Sequence, residues 1–289
     1  MASTSAGTVL RVLRQCCDEV ESRGPWQWQC LARNGGLLSI AASLGDGFLH
    51  LAYRPWDTER SALFLERALR ANRTLPGGVK LALGQQGNDL HLHCDLPLVD
   101  DEQLRNSFER ALNGFHEGGA ALRAANEGSS SVCDTTNPDR LKDLLNKVAW
   151  PHSERGTNDF SAELDAEGAR PASLRLSDRD LEANVELFRS KAPSTAVRRA
   201  LAAFLLSASG ALCMVRAYSE SAGDQELYGF QVSLSKAPAP EEVQDALAAL
   251  SIAHRICARE ANVLLTETAA QQYLAARCFS TANQLGEEE

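Results

Sequence analysis

Apolar and polar residues alternate in two separate stretches of the chain, and the two stretches carry the same pattern. From Trp26 to Tyr53 three groups follow one another: Trp26, Trp28 and Cys30; Leu38, Ile40 and Ala42; Leu49, Leu51 and Tyr53. A period of two marks a strand with one buried face. Shifted by 134 positions, the segment 26–54 falls on 160–188 without a gap, and its apolar positions meet Phe160, Ala162 and Leu164, then Ala172, Leu174 and Leu176, then Ala183, Val185 and Leu187. The turn "RNGG" at 33–36 lies opposite "EGAR" at 167–170. Few residues are identical, so it is the pattern that repeats. Three strands in succession, twice, are predicted.

The flanks repeat as well. Before each trio a helix is predicted: Val9, Leu13, Cys16 or Cys17 and Val20 recur at helical spacing in the first copy, and Leu141, Leu144, Leu145 and Val148 in the second. Asn137 and Pro138 suit the cap and first position of the latter. The short runs "ESRG" and "SERG" are read as the ends of these helices. After each trio comes a second helix, "DTERSALFLERALRANRTL" and then "APSTAVRRALAAFLLSASGAL". The latter is apolar around so much of its circumference that more than one neighbour must cover it. A hairpin follows in each copy, with Val79, Leu81, Leu83 against Leu90, Leu92, Cys94, and "CMVRAYSES" against "LYGFQVSLS". Each copy ends in a helix that starts with acidic residues, Asp101 and Glu102 or Glu241 and Glu242, where they complement the helix dipole. The fold class is α+β: two tandem copies of a helix, three strands, helix, two strands, helix unit with antiparallel sheets. Residues 1–125 form the first domain, the polar stretch "NEGSSSVCDTTNP" at 126–138 a flexible linker, and 139–289 the second domain.

The stretch "LHLHCDLPLVDDEQL" (90–104) sets two histidines, a cysteine and an aspartate close together, as a metal site would. At an offset of 140 its apolar residues meet Phe230, Val232 and Leu234, whereas His91 and His93 meet Gln231 and Ser233. Alternation turns Cys94 away from the histidines, and no further ligand is identifiable along the chain. A solvated strand face is therefore expected, with no metal and no cofactor. Catalytic signatures are absent too. The chain has no GxSxG, GxxxxGK[ST] or HExxH, and Cys16 and Cys17 diverge by about 100° on a helix. No catalytic residue is assigned.

Composition narrows the partner. A net charge of −9 argues against nucleic acid, which clustered Lys and Arg would bind. No apolar run is long enough to span a bilayer, and the N-terminal segment lacks the basic start and unbroken apolar core of an export signal. The eight cysteines have no CxxC spacing and read as reduced thiols, so a cytoplasmic location is expected.

The order of elements, the acidic start of the last helix and the segment "LHLHCDLPLVDDEQLRNSFERAL" resemble the effector-binding, class I chaperones of bacterial type III secretion, over about Val9 to Tyr273. The resemblance implies a non-enzymatic protein that holds an extended client segment on apolar surface patches. It also implies that the two fused copies pair within one chain as a monomeric pseudo-dimer through the second long helix of each. Phe64, Val197, Leu201, Phe204 and Leu205 are the residues assigned to that interface. A polar coil of the linker's length reaches about 20 Å and sets an effective concentration on the order of millimolar, so even a weak interface stays closed. For the client, a protein or peptide, the candidate contacts are the aromatic residues Trp26, Trp28, Trp56 and Phe160. A regulatory or scaffold protein with the same fold and no secretion role is the alternative.

Overall fold

The computed structural model describes residues 6–33, 37–54, 62–84, 89–98, 100–124, 138–148, 150–156, 159–164, 171–176, 180–235 and 237–277. Helix α1 (Ala6–Cys16) leads into β1 (Glu19–Gly24), β2 (Gln27–Arg33), β3 (Leu37–Gly45) and β4 (Phe48–Tyr53). Then come α2 (Ala62–Ala71), β5 (Lys80–Leu83), β6 (Leu90–Pro97) and α3 (Asp101–Ala124). The order returns with α4 (Pro138–Val148), β7 (His152–Gly156), β8 (Asp159–Ala162), β9 (Ala172–Leu176), β10 (Asp180–Lys191), α5 (Thr195–Ala211), β11 (Arg216–Ala222), β12 (Gln225–Ser235) and α6 (Pro240–Val263). A further helix, α7 (Glu267–Ala276), follows. Each half builds one six-stranded antiparallel sheet, in the order β1-β2-β3-β4-β6-β5 and, equivalently, β7-β8-β9-β10-β12-β11. The protein is α+β, with seven helices among the described residues.

Each copy has four strands after its first helix where three were expected. The added strands are the runs read as helix ends: Glu21 to Gly24 lies in β1, and Ser153 to Gly156 in β7. α1 stops once Val9, Val12 and Leu13 have been buried, and the Asp18 N–H then donates to Leu31 O at 2.8 Å and starts the ladder. An edge strand wet on both faces needs no apolar alternation, so β1 looks like a polar helix end in sequence.

The register corrects the repeat. Trp28 pairs with Ala42 as Phe160 pairs with Leu174, and Ala42 pairs with Leu51 as Leu174 pairs with Ala183. The strands therefore correspond at a shift of 132, two residues less than the pattern suggested. In the hairpins, Leu51–Cys94 matches Ala183–Val232, a shift of 138 for β6 and β12. Lys80–His93 matches Arg216–Gln231, a shift of 136 for β5 and β11. An even slip keeps every side chain on its face, which is why alternation concealed it.

The inner face of the first sheet buries Trp28, Cys30, Ile40, Leu49, Leu51, Leu92 and Cys94, with Leu104, Phe108 and Phe115 of α3 among the core. α6 covers the second sheet at β10 and β12. α5 packs against β11 and α7 of its own half and against α2 and β5 of the first, as its wide apolar circumference requires. The approach to β5 is close: a Cβ on Gly210 would run into the Leu83 carbonyl oxygen. Gly210→Ala should accordingly destabilise the chain by about 1–3 kcal/mol through overpacking, read as a lower urea midpoint at unchanged slope.

Candidate functional site

The two halves meet where β5, the last strand of the first sheet, lies beside β11, the last strand of the second. Asn72, buried just past α2, joins them. Its side-chain amide donates to Leu81 O at 3.0 Å and to Ala217 O at 2.9 Å, while its oxygen accepts from the Leu81 N–H. In the second half the Ser209 hydroxyl accepts from the Ala217 N–H at 2.7 Å.

Each of these edge strands begins with a buried cation. Lys80 Nζ donates to Asp95 Oδ2 and to Leu212 O of the other half, both at 2.6 Å. Arg216, at the matching position, donates to Leu75 O and, at 3.1 Å, to Val79 O of the first half, and at 2.7 Å to Ser233 Oγ. Burial lowers the Arg216 guanidinium to about 10. Around this centre Arg73 reaches Glu182, Glu220, Asn184 and Gln231 and lies over the Tyr218 ring, Arg70 pairs with Glu226, and Glu66 pairs with Arg198 and Arg199.

Asp95 is the hub of the first half's side of the seam. Its side chain is 2 % exposed and that of Lys80 is 1 %. Oδ1 accepts from His50 Nδ1 at 2.8 Å and His93 Nε2 at 2.7 Å; Oδ2 accepts from Lys80 and, at 3.0 Å, from the backbone N–H of Met214. Burial alone would raise the Asp95 carboxyl. The Lys80 charge and the two imidazole hydrogen bonds outweigh it and hold the group far below the usual carboxylate range. The hydrogen bond to Asp95 pushes His50 up, and His50 Nε2 lies 3.2 Å from Gly45 O. Burial pushes His93 down, and burial together with neighbouring His93 takes His91 to about 4. The ligand atoms of His50, Asp95 and Cys213, the last on the turn after α5, lie within 4.8 Å of one another.

This cluster replaces the solvated face expected for His91 and His93. His91 and Asp95 are both buried, Asp95 because the turn Leu212–Met214 closes over it and Lys80. The structural counterpart of His93 is Gln231, and that of Asp95 is Ser233. Sequence reading missed His50, Lys80 and Cys213. His50 occupies an outward position of β4 and offered a signal once its pairing with Asp95 was known; Cys213 lies in the other half and offered none.

The aromatic residues assigned to a client are not brought together. Trp28 and Phe160 are core residues, 4 % and 1 % exposed, because matched inward positions of β2 and β8 place them under the sheets; neither offers a free surface. Trp26 sits in the turn between β1 and β2, outside the strand expected to hold it, and is 52 % exposed. Trp56 lies outside the described residues, as do positions 126–137 of the linker. Of the residues assigned to the interface, Val197, Leu201 and Leu205 are buried on α5, and Phe64 is half-buried on α2, which packs on α5. Phe204 instead meets the Tyr273 ring edge-on at 6.3 Å, since α7, which the sequence reading did not include, covers that side of α5.

No family model matches the sequence, and no curated protein matches it. Among solved structures the chain is similar to the crystal structure of "YbjN, a putative transcription regulator from E. coli", at a TM-score of 0.36 and 16 % identity, over 46 % of this chain and 96 % of that one.

Removing one member of a buried ion pair leaves the other uncompensated. Lys80→Met should cost about 3 kcal/mol in urea unfolding, toward the lower end of that class because His50, His93 and the Met214 N–H still serve Asp95. In a double-mutant cycle with Asp95→Leu the two losses should fall well short of additive. Burial lifts the Cys94 and Cys257 thiols to about 12, so neither should react with a maleimide at pH 7 until the protein is unfolded, as mass spectrometry would record.

Proposed function

We propose that the protein is a non-enzymatic, protein-binding chaperone or adaptor of the type III secretion chaperone kind. In this reading residues 1–125 and 139–289 are two chaperone-like domains joined by a flexible linker. They pair within one cytoplasmic monomer as the two protomers of a dimer would. The seam supports the pairing: the same elements of each half, α2 with β5 and α5 with β11, face each other, and buried donors cross in both directions.

One observation carries the client site. The seam uses up one edge of each sheet and leaves β1 and β7 with a partner on one side only among the described residues. Two exposed apolar residues stand on this side of the sheet: Trp26 in the turn that joins β1 to β2, and Leu37 (62 % exposed) at the start of β3, one strand further in and at the opposite end of the β2–β3 pair. An extended segment adding to β1 would gain main-chain hydrogen bonds from the edge and an apolar contact at Trp26, and a client side chain reaching across the end of β2 would meet Leu37. A second exposed apolar stripe, Ile252, Ile256 and Val263, lies on one face of α6.

Capture by the full-length protein from its native extract, followed by protease footprinting, tests this reading. It should recover a client held through an extended segment, and hydrogen exchange of β1 amides should slow in the complex. Trp26→Ala together with Leu37→Asp should reduce capture at least tenfold while leaving the thermal midpoint within about 2 °C, because both side chains are largely exposed. If no client is recovered, or if capture survives the double substitution and fails only on Ile256→Asp, the β1 site is wrong.

A further inference from the structure

We propose that the seam contains a zinc-type metal site formed by His50, Asp95 and Cys213, with His93 as the fourth donor. This inference does not depend on the client reading.

The donors already converge. His50 Nδ1 and His93 Nε2 both aim at Asp95 Oδ1, at 2.8 and 2.7 Å; Cys213 Sγ completes with His50 and Asp95 a group whose ligand atoms lie within 4.8 Å of one another, and His93 stands just outside that group, beside Asp95. A tetrahedral ion with bonds of about 2.0–2.3 Å holds its ligand atoms about 3.3–3.8 Å apart, so closing the site around His50, Asp95 and Cys213 needs movements of about 1 Å, and His93 must shift further to join as the fourth donor. Cys213 lies on the turn after α5, between Leu212, whose carbonyl accepts from Lys80, and Met214, whose N–H donates to Asp95, so its side chain and the imidazoles are the parts that would move.

The outer contacts suit ligation. A metal-bound imidazole ordinarily donates its other N–H to a carbonyl or carboxylate. His50 Nε2 has Gly45 O at 3.2 Å, which leaves Nδ1 for the ion. Asp95 Oδ2 is fixed by Lys80 and by the Met214 N–H, which leaves Oδ1 as a monodentate ligand on an anchored carboxylate. One thiolate, two imidazoles and one carboxylate favour zinc over the hard cations magnesium and calcium.

The protons balance. On binding, the Cys213 thiol and the N–H groups of His50 and His93 directed at Oδ1 give up their protons, and those beyond neutral imidazole and thiolate go to solvent. Thiolate and carboxylate together match the two charges of the ion, so the cluster with Lys80 passes from neutral to a net charge of +1 on binding, with the Lys80 ammonium still held by Asp95 Oδ2 and Leu212 O.

The ligands come from β4 and β6 of the first half and from the α5–β11 turn of the second, so the ion would cross-link the halves. The site belongs to one side only, because Ser233 and Gln231 replace Asp95 and His93 at the matching positions.

The test is a Co2+ titration of the full-length protein after chelator treatment and with thiols reduced. One equivalent should bind and produce a near-ultraviolet thiolate-to-cobalt charge-transfer band with the intense visible bands of tetrahedral cobalt, and Zn2+ should displace it. Cys213→Ser, whose side chain is only partly buried, should keep the far-ultraviolet circular dichroism and lose the charge-transfer band. His50→Ala should weaken binding at least tenfold. A wild-type titration without the band, or a band that persists in Cys213→Ser, would overturn the proposal.

Discussion

A cation taken out of water must be surrounded by acceptors, or the segment that carries it cannot be buried. Lys80 and Arg216 impose this condition on the whole molecule. Each opens the edge strand of a sheet, each is almost completely enclosed, and each finds acceptors in the opposite half: Leu212 O for the lysine, Leu75 O and Val79 O for the arginine. Neither half alone supplies all these oxygens. The sheets must therefore be brought together along these edges, and Asn72 then closes the gap between strands with three hydrogen bonds.

Docking in this way resolves two difficulties at once. An exposed sheet edge invites pairing with foreign strands, and the seam hides one edge of each sheet. The wide apolar surface of α5 also needs several neighbours. It receives α2 and β5 from the first half and α7 from its own, with Gly210 allowing the helix to approach the β5 backbone.

The halves have kept one geometry while their chemistry has drifted apart. Lys80 and Arg216 are both cations, yet Asp95 with its histidines stands where the other half has Ser233 and Gln231. Two identical subunits could not differ in this way. Within one chain, each side of the seam is free to specialise, and the histidine cluster is found only on the first half's side among the described residues. The outer edges, β1 and β7, lie at the opposite ends of their sheets from the seam and have a strand partner on one side only among the described residues.

Alternating apolar residues determined that the chain would form two antiparallel sheets of matching order, because a one-sided burial requirement is written directly into every second residue. Helical spacing placed α1, α3, α4, α5 and α6 for the same reason. Strands β1 and β7 were not legible, since an edge exposed on both faces imposes no pattern. The two-residue error in the repeat was invisible, since an even slip changes no residue's face. The histidines of β6 illustrate the remaining limit. Their period placed them opposite Cys94, but only the tertiary structure lays the turn at Cys213 against Asp95 and sets His50 and Lys80 beside it. Contacts between residues more than a hundred positions apart depend on how two finished sheets dock, and local sequence pattern carries no record of that.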